Sequence, residues 1–240
     1  MLNLNLPVRL KREVAGFIQS LEKIYGADLL SVALYGTAAS GEFVMGHSNL
    51  NILVILRSTE LVYLKQAAKT VKKYRNLKPL FLTREYILAS VDVFPIEFLD
   101  LKENHIVLTG QDFLNEIHID LKNLRFQCEQ ELKVKLLNLK QLYLVLNSRP
   151  GDLKILLFKT FNSTLHILRN ILRLKNIQPL YKKEGLVKQL TEYFKIDTGN
   201  WEIILSAKSK KMRLKKSEIE RLFIVFVDNL EKIVQTVDAL

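Results

Sequence analysis

The sequence predicts an α+β chain: a mixed sheet with helices over about residues 1–120, then an all-helical bundle over about 121–240. Two observations carry this. In the first half, short apolar runs alternate with helical patterns; after Asp120 the strand signals stop and helical periodicity continues to the end. The chain has 240 residues, of which 48% are apolar and 25% charged, so each half is long enough and apolar enough to bury a core.

The first half begins with a helix over about Val8 to Tyr25. "LLSVALYG" (Leu29 to Gly36) and "LNILVILR" (Leu50 to Arg57) read as buried strands, and "KPLFLT" and "DVFPIEFLDL" as two more. Between them "STELVYLKQAAKTVKKYRNL" is an amphipathic helix, with Ser58 as its N-cap and Glu60 in its first turn. In the second half, "LRFQCEQELKVKLLNLKQLYLVLN" is one long helix that stops at Arg149-Pro150-Gly151. Asp152 caps the next, "LKILLFKTFNSTLHILRNILRLKN". Shorter helices follow around "EGLVKQLTEYF" and "NWEIILSA". The last begins at Ser217, which forms an S-x-x-E capping box with Glu220. There is no internal repeat and no low-complexity linker.

Composition narrows the function classes. The single cysteine, Cys128, excludes an internal disulfide framework and suits a reducing compartment. The start, "MLNLNLPVRLKREVAGF", lacks the apolar core of a signal peptide, and no uncharged apolar run approaches the roughly 20 residues of a membrane span. The expectation is a cytoplasmic protein with no membrane contact. A net charge of +11 favours encounters with polyanions, although lysine-rich solvated helix faces produce the same surplus.

The segment "LLSVALYGTAASGEFVMGHSNLNILVIL" holds the candidate site. A strand ends at Gly36-Thr37, residues 38–48 form a spacer of 11, and the next strand opens with Asn49 and Asn51. Residues two apart on a strand point to the same side, so the two amides form a pair. This pattern resembles the polymerase-beta-like nucleotidyltransferase superfamily, whose signature is Gly-Ser or Gly-Thr, a spacer, then Asp-x-Asp on the following strand. "GTAASGEF" is similar to the small bacterial subgroup related to kanamycin nucleotidyltransferase. The resemblance covers the first half; the helices of the second half carry no diagnostic motif.

That resemblance implies a chemistry. Nucleotidyl transfer uses Mg²⁺ to bridge the triphosphate, and Mg²⁺ demands hard anionic oxygen ligands. Two carboxylates on one side of a strand and a third from a neighbouring strand provide them. Gly36, Thr37 and Ser48 are the nucleotide- or phosphate-facing residues it implies. Here Asn49 and Asn51 stand at the Asp-x-Asp positions, and the third carboxylate is assigned to Glu97, with Asp100 as runner-up. An ion pair at 4 Å is worth about 4 kcal/mol at an effective dielectric of about 20, so losing two anionic ligands removes most of the attraction for a divalent ion.

The expected function is therefore a catalytically inactive nucleotidyltransferase-fold protein that binds a nucleotide or phosphate, or regulates, with no cofactor. The alternatives are an active transferase moving a nucleoside monophosphate from a nucleoside triphosphate with Mg²⁺, and an interaction scaffold acting through the helical half. The expected partners are a nucleotide and, through the helical half, a partner protein or a second copy.

The remaining candidates have bland readings. His47, His105, His118 and His166 show no metal-ligand spacing, and His47 lies in the turn before the asparagines. Cys128 reads as a core or boundary residue of a long helix. No P-loop, G-x-S-x-G or dinucleotide-binding glycine pattern occurs. No arginine precedes a histidine at the R-x(4–6)-H spacing of the ribonuclease domains that accompany some small nucleotidyltransferases; Lys159, Thr160 and Phe161 stand there before His166. The densest basic run, "KSKKMRLKK" from Lys208 to Lys216, reads as an exposed loop or frayed helix start. It has no interleaved aromatics to stack bases, which makes nucleic acid the weakest of the partner readings.

Overall fold

Helix α1 (Val8–Tyr25) forms where the sequence places it, because Val14, Phe17, Ile18, Leu21 and Tyr25 recur at helical spacing and bury one face. The structure, a computed structural model, describes residues 6–41, 49–195, 199–209 and 212–238. The chain forms two compact units, Met1–Ile119 and Asp120–Leu240.

In the first unit β1 (Leu29–Tyr35), β2 (Leu50–Leu56), β3 (Leu77–Thr83) and β4 (His105–Gly110) make one sheet in the order β3-β2-β1-β4. β1 runs antiparallel to both β2 and β4, whereas β3 runs parallel to β2. The parallel pair is joined through α2 (Leu61–Lys73), as a parallel connection requires. The sheet is therefore mixed, as expected.

β1 and β2 lie in the middle of the sheet and are covered on both faces, which is why they read as nearly continuous apolar runs. Val32, Leu34, Leu50, Ile52, Val54 and Leu56 pack with α1 and with Ala67 of α2. The alternate residues Ala33, Leu53 and Ile55 face α3 (Arg84–Ser90) and α4 (Pro95–Glu103), meeting Ile87, Phe98 and Leu101.

The segment "DVFPIEFLDL" differs from expectation: most of it is helix α4, not a strand. Pro95 takes the first helical position, where its missing N–H is no loss, and Ile96, Phe98 and Leu101 bury one side. The fourth strand is instead β4, which follows α4 directly. Helix α2 starts at Leu61, later than expected, so Ser58 is not its N-cap; the Ser58 hydroxyl accepts from the Glu60 N–H at 3.3 Å within the preceding turn.

In the second unit, α5 (Leu121–Leu146), α6 (Pro150–Leu174) and α9 (Lys216–Asp238) pack against one another, with α7 (Lys183–Phe194) and α8 (Gly199–Lys208) between α6 and α9 in sequence. Asp120 caps α5 by accepting from the Lys122 N–H at 2.7 Å. Pro150 opens α6 rather than merely ending α5, and Asp152 lies in its first turn. The capping box at Ser217 is also displaced. The Glu218 carboxylate accepts from the Lys215 N–H at 2.6 Å, while Glu220 accepts from the Tyr143 hydroxyl at 2.7 Å. Phe161, Trp201 and Phe226 meet with ring centroids 5.5 to 5.7 Å apart, and all three are fully buried. No helix among the described residues is long and apolar enough to cross a membrane.

Two measurements test this packing. Gly110 has φ +83°, and a Cβ there would lie 2.7 Å from Ser31 Cα and closer still to the Leu30 carbonyl; Gly26 has φ +49° with open space around it. Urea denaturation is expected to show Gly110→Ala destabilised by about 3 kcal/mol or more, against about 1 kcal/mol for Gly26→Ala. Phe226→Ala is expected to cost about 3–5 kcal/mol, read from the fluorescence of the sole tryptophan, Trp201.

Candidate functional site

The site is built where β1 ends and β2 begins. Tyr35 closes β1, and Gly36–Ala38 make a single 3-10 turn. Gly36 has φ +72°, and a Cβ on it would stand 3.1 Å from Asn51 Nδ2. Glycine is needed here twice over, for its left-handed backbone and for the close approach of the Asn51 amide. The turn residue and the second asparagine of the motif are thereby brought together. Asn49, just before β2, is exposed, and Asn51 is half-buried.

The turn is tied down on its other side. The Gly36 N–H donates to the Asn104 carbonyl at 3.1 Å, and the Gly36 carbonyl accepts from the N–H groups of Ala39 and Ser40 at 2.9 and 3.0 Å. Gly36 therefore contributes shape rather than a free N–H. Thr37 is exposed at the head of the turn. Gly46, His47 and Ser48 lie outside the described residues.

Strand register carries the site across the sheet. Asn51 is the partner of Tyr35 on β1 and of Lys78 on β3, and Tyr35 is the partner of His105 on β4. Paired residues share a face, so Lys78, Asn51, Tyr35 and His105 form one row. It lies on the face that Leu53 and Ile55 present to α3 and α4. Burial raises the Tyr35 phenol above its ordinary value of about 10. His105 anchors the far end: its side chain is 8% exposed, with Nε2 3.0 Å from Asp112 Oδ1 and Nδ1 3.0 Å from the carbonyls of Leu101 and Lys102.

Glu97 and Asp100 belong to α4, so neither is the strand neighbour of Asn51 that the sequence suggests. Glu97 is exposed in the first turn of that helix and Asp100 is half-buried. Beside Asn51 on the two neighbouring strands stand Tyr35 and Lys78, and no carboxylate is in the row. Among the described residues no three acidic, histidine or cysteine side chains gather where they could hold a metal ion. Two amides, a phenol and an ammonium do not fit a hard divalent cation.

The fold, not the sequence, is what this chain shares with known proteins. No protein-family model matches the sequence, and no curated protein does. Among solved structures, spectinomycin adenyltransferase AAD(9) from Enterococcus faecialis, solved with ATP and spectinomycin, superposes with a TM-score of 0.60 at 11% identity, over 92% of this chain and 99% of that one. The chain has a nucleotidyltransferase-like fold. At that identity the likeness is one of fold, and it extends over sheet and helical bundle alike.

The other sequence candidates fall elsewhere. Cys128 is fully buried in α5, and Asn170 donates to the backbone carbonyl of His166 within α6. In the basic run Lys208 is not a free cation: its Nζ donates to the Phe158 carbonyl at 3.1 Å and lies 5.7 Å from that ring's centre. Burial, then the nearby Lys183 charge, lowers its pKa. Lys210 and Lys211 lie outside the described residues. Sequence reasoning did not bring Tyr35 and Lys78 to the site, and it set His105 aside for want of metal-ligand spacing. The signal for Lys78 was present, as one charged residue opening an apolar strand, but its meaning depends on pairing.

Tyr35 yields a pH test. The fold favours the neutral phenol, so this contribution to stability is intact below pH 10 and is lost as the pH rises through the raised value. Wild-type stability is expected to fall relative to Tyr35→Phe over that alkaline window. The difference between their ultraviolet phenolate titrations should isolate one tyrosine ionising above 10.

Proposed function

We propose that this nucleotidyltransferase-fold protein binds a nucleotide, or another phosphate-bearing ligand, without transferring it, and acts as a regulatory binder. The observation that supports this is the chemistry of the strand that opens the site: Asn49 and Asn51 stand where the motif calls for aspartates, and Lys78 and Tyr35 flank Asn51. The turn that would face phosphate, Gly36-Thr37, keeps its shape around the Asn51 amide. Residues 1–120 carry this site in the proposal, and residues 121–240 serve as a helical scaffold for a partner protein or a second copy.

The rival reading is a transferase that uses Mg²⁺ held by Glu97 or Asp100 with amide oxygens from Asn49 and Asn51. Its support is that α4, which carries both acids, packs through Phe98 and Leu101 on the sheet face of Leu53 and Ile55. Incubation with labelled nucleoside triphosphates and Mg²⁺ or Mn²⁺ separates the two. The expected result is no label transfer, with a thermal shift of the protein by nucleotide; metal-dependent transfer overturns the inactive reading, and no shift at millimolar nucleotide overturns the binding reading. Asn49→Asp combined with Asn51→Asp is expected to gain Mn²⁺ binding in equilibrium dialysis.

A further inference from the structure

Lys78 gives the site a feature that two asparagines alone do not. It follows Leu77, which is buried on the α1 side of the sheet, and it precedes Leu80 and Leu82 by two and four residues; Leu82 packs on the α3–α4 side. Alternation therefore puts the Lys78 side chain on the face of the row, beside its register partner Asn51. Adjacent strands lie about 4.8 Å apart, a gap that the four-carbon lysine stem spans easily. Lys78 is exposed and forms no ion pair among the described residues. Its charge is available beside Asn51, the residue whose amide meets the Gly36 turn.

The formal charge of the strand residues alone, with Glu97 and Asp100 of α4 left aside, can be set against that of a metal-loaded centre. Three carboxylates around two divalent ions present about one net positive charge to a triphosphate. Asn49, Asn51 and Lys78 present one positive charge with no ion at all. We infer that Lys78 takes the place of the divalent metal, so that the site binds the phosphate chain of a nucleoside triphosphate in the absence of any divalent cation. This rests on the nucleotide-binding reading above and adds how the charge is met: the ammonium donates to phosphate oxygens as a point charge, and the neutral amides neither repel the phosphates nor demand a metal.

The test is equilibrium dialysis of labelled ATP against the whole protein at low ionic strength, once in EDTA and once in excess Mg²⁺. Affinity in EDTA is expected to equal or exceed that in Mg²⁺, and inorganic tripolyphosphate is expected to compete. Lys78→Gln is expected to weaken binding about tenfold or more, while Lys78→Arg keeps it within about threefold. Lys78 is exposed, and unchanged circular dichroism and thermal melting of both variants would show an intact fold. Adding Lys78→Glu to Asn49→Asp and Asn51→Asp should make ATP binding dependent on Mg²⁺. Binding that requires Mg²⁺ in the native protein overturns the inference and leaves the nucleotide-binding reading in place. So does native affinity in Lys78→Gln, which would make Lys78 only a guard against pairing at the exposed edge strand β3. Failure of tripolyphosphate to compete also overturns it, and no ATP bound in either buffer removes both readings.

Discussion

Tyr35 pairs with Asn51 across β1 and β2, and Asn51 pairs with Lys78 across β2 and β3. Strand side chains alternate, so slipping either pairing by one residue would send the row's side chains into the α1 side of the sheet and turn Leu53 and Ile55 away from α3 and α4. The apolar contacts on both faces therefore hold the register, and the register holds the site. The Gly36 turn follows from it as well, because the Asn51 amide reaches the turn only from this alignment.

The amides also change what the fold must tolerate without a ligand. Two carboxylates side by side repel one another unless a cation lies between them, and burying either one partly adds to the penalty. Asn49 and Asn51 carry no such repulsion, so the strand opening can stay formed with nothing bound. The helix that carries Glu97 and Asp100, α4, is seated by Ile96, Phe98 and Leu101 through hydrophobic burial.

Much of the first unit was legible in the sequence because its central strands are buried on both faces. An apolar run as short as "LNILVIL", with turn-forming residue types before it in the sequence and Arg57 after it, suits a strand enclosed by two layers, and the α1 periodicity was equally direct. The segment around Pro95 reads as a strand because "VFPIEFL" is a short apolar run broken only by Glu97, whereas its buried set, Ile96, Phe98 and Leu101, equally fits a helix. Position 217 failed for a different reason: the S-x-x-E pattern is real, but Glu218 reaches the Lys215 N–H first and Glu220 is drawn to Tyr143. Gly36, Asn49 and Asn51 are close enough in sequence to read as one local pattern, and the structure brings Gly36 and Asn51 together. Lys78, Tyr35 and His105 are not legible in that way, since strand order and register decide which distant residues become neighbours of Asn51, and neither is written locally in the chain.

The bond from the Gly36 N–H to the Asn104 carbonyl reaches beyond the turn itself. Asn104 is the C-cap of α4, and both its N–H and its side-chain amide donate to the Asp100 carbonyl, at 2.9 and 3.3 Å. The mouth of the site and the tail of that helix are thus two ends of one joint. Anything that lifts or tightens the turn must either break the bond or pull the end of α4 with it, so a displacement at Gly36 has a mechanical path along the helix to the Pro95 end.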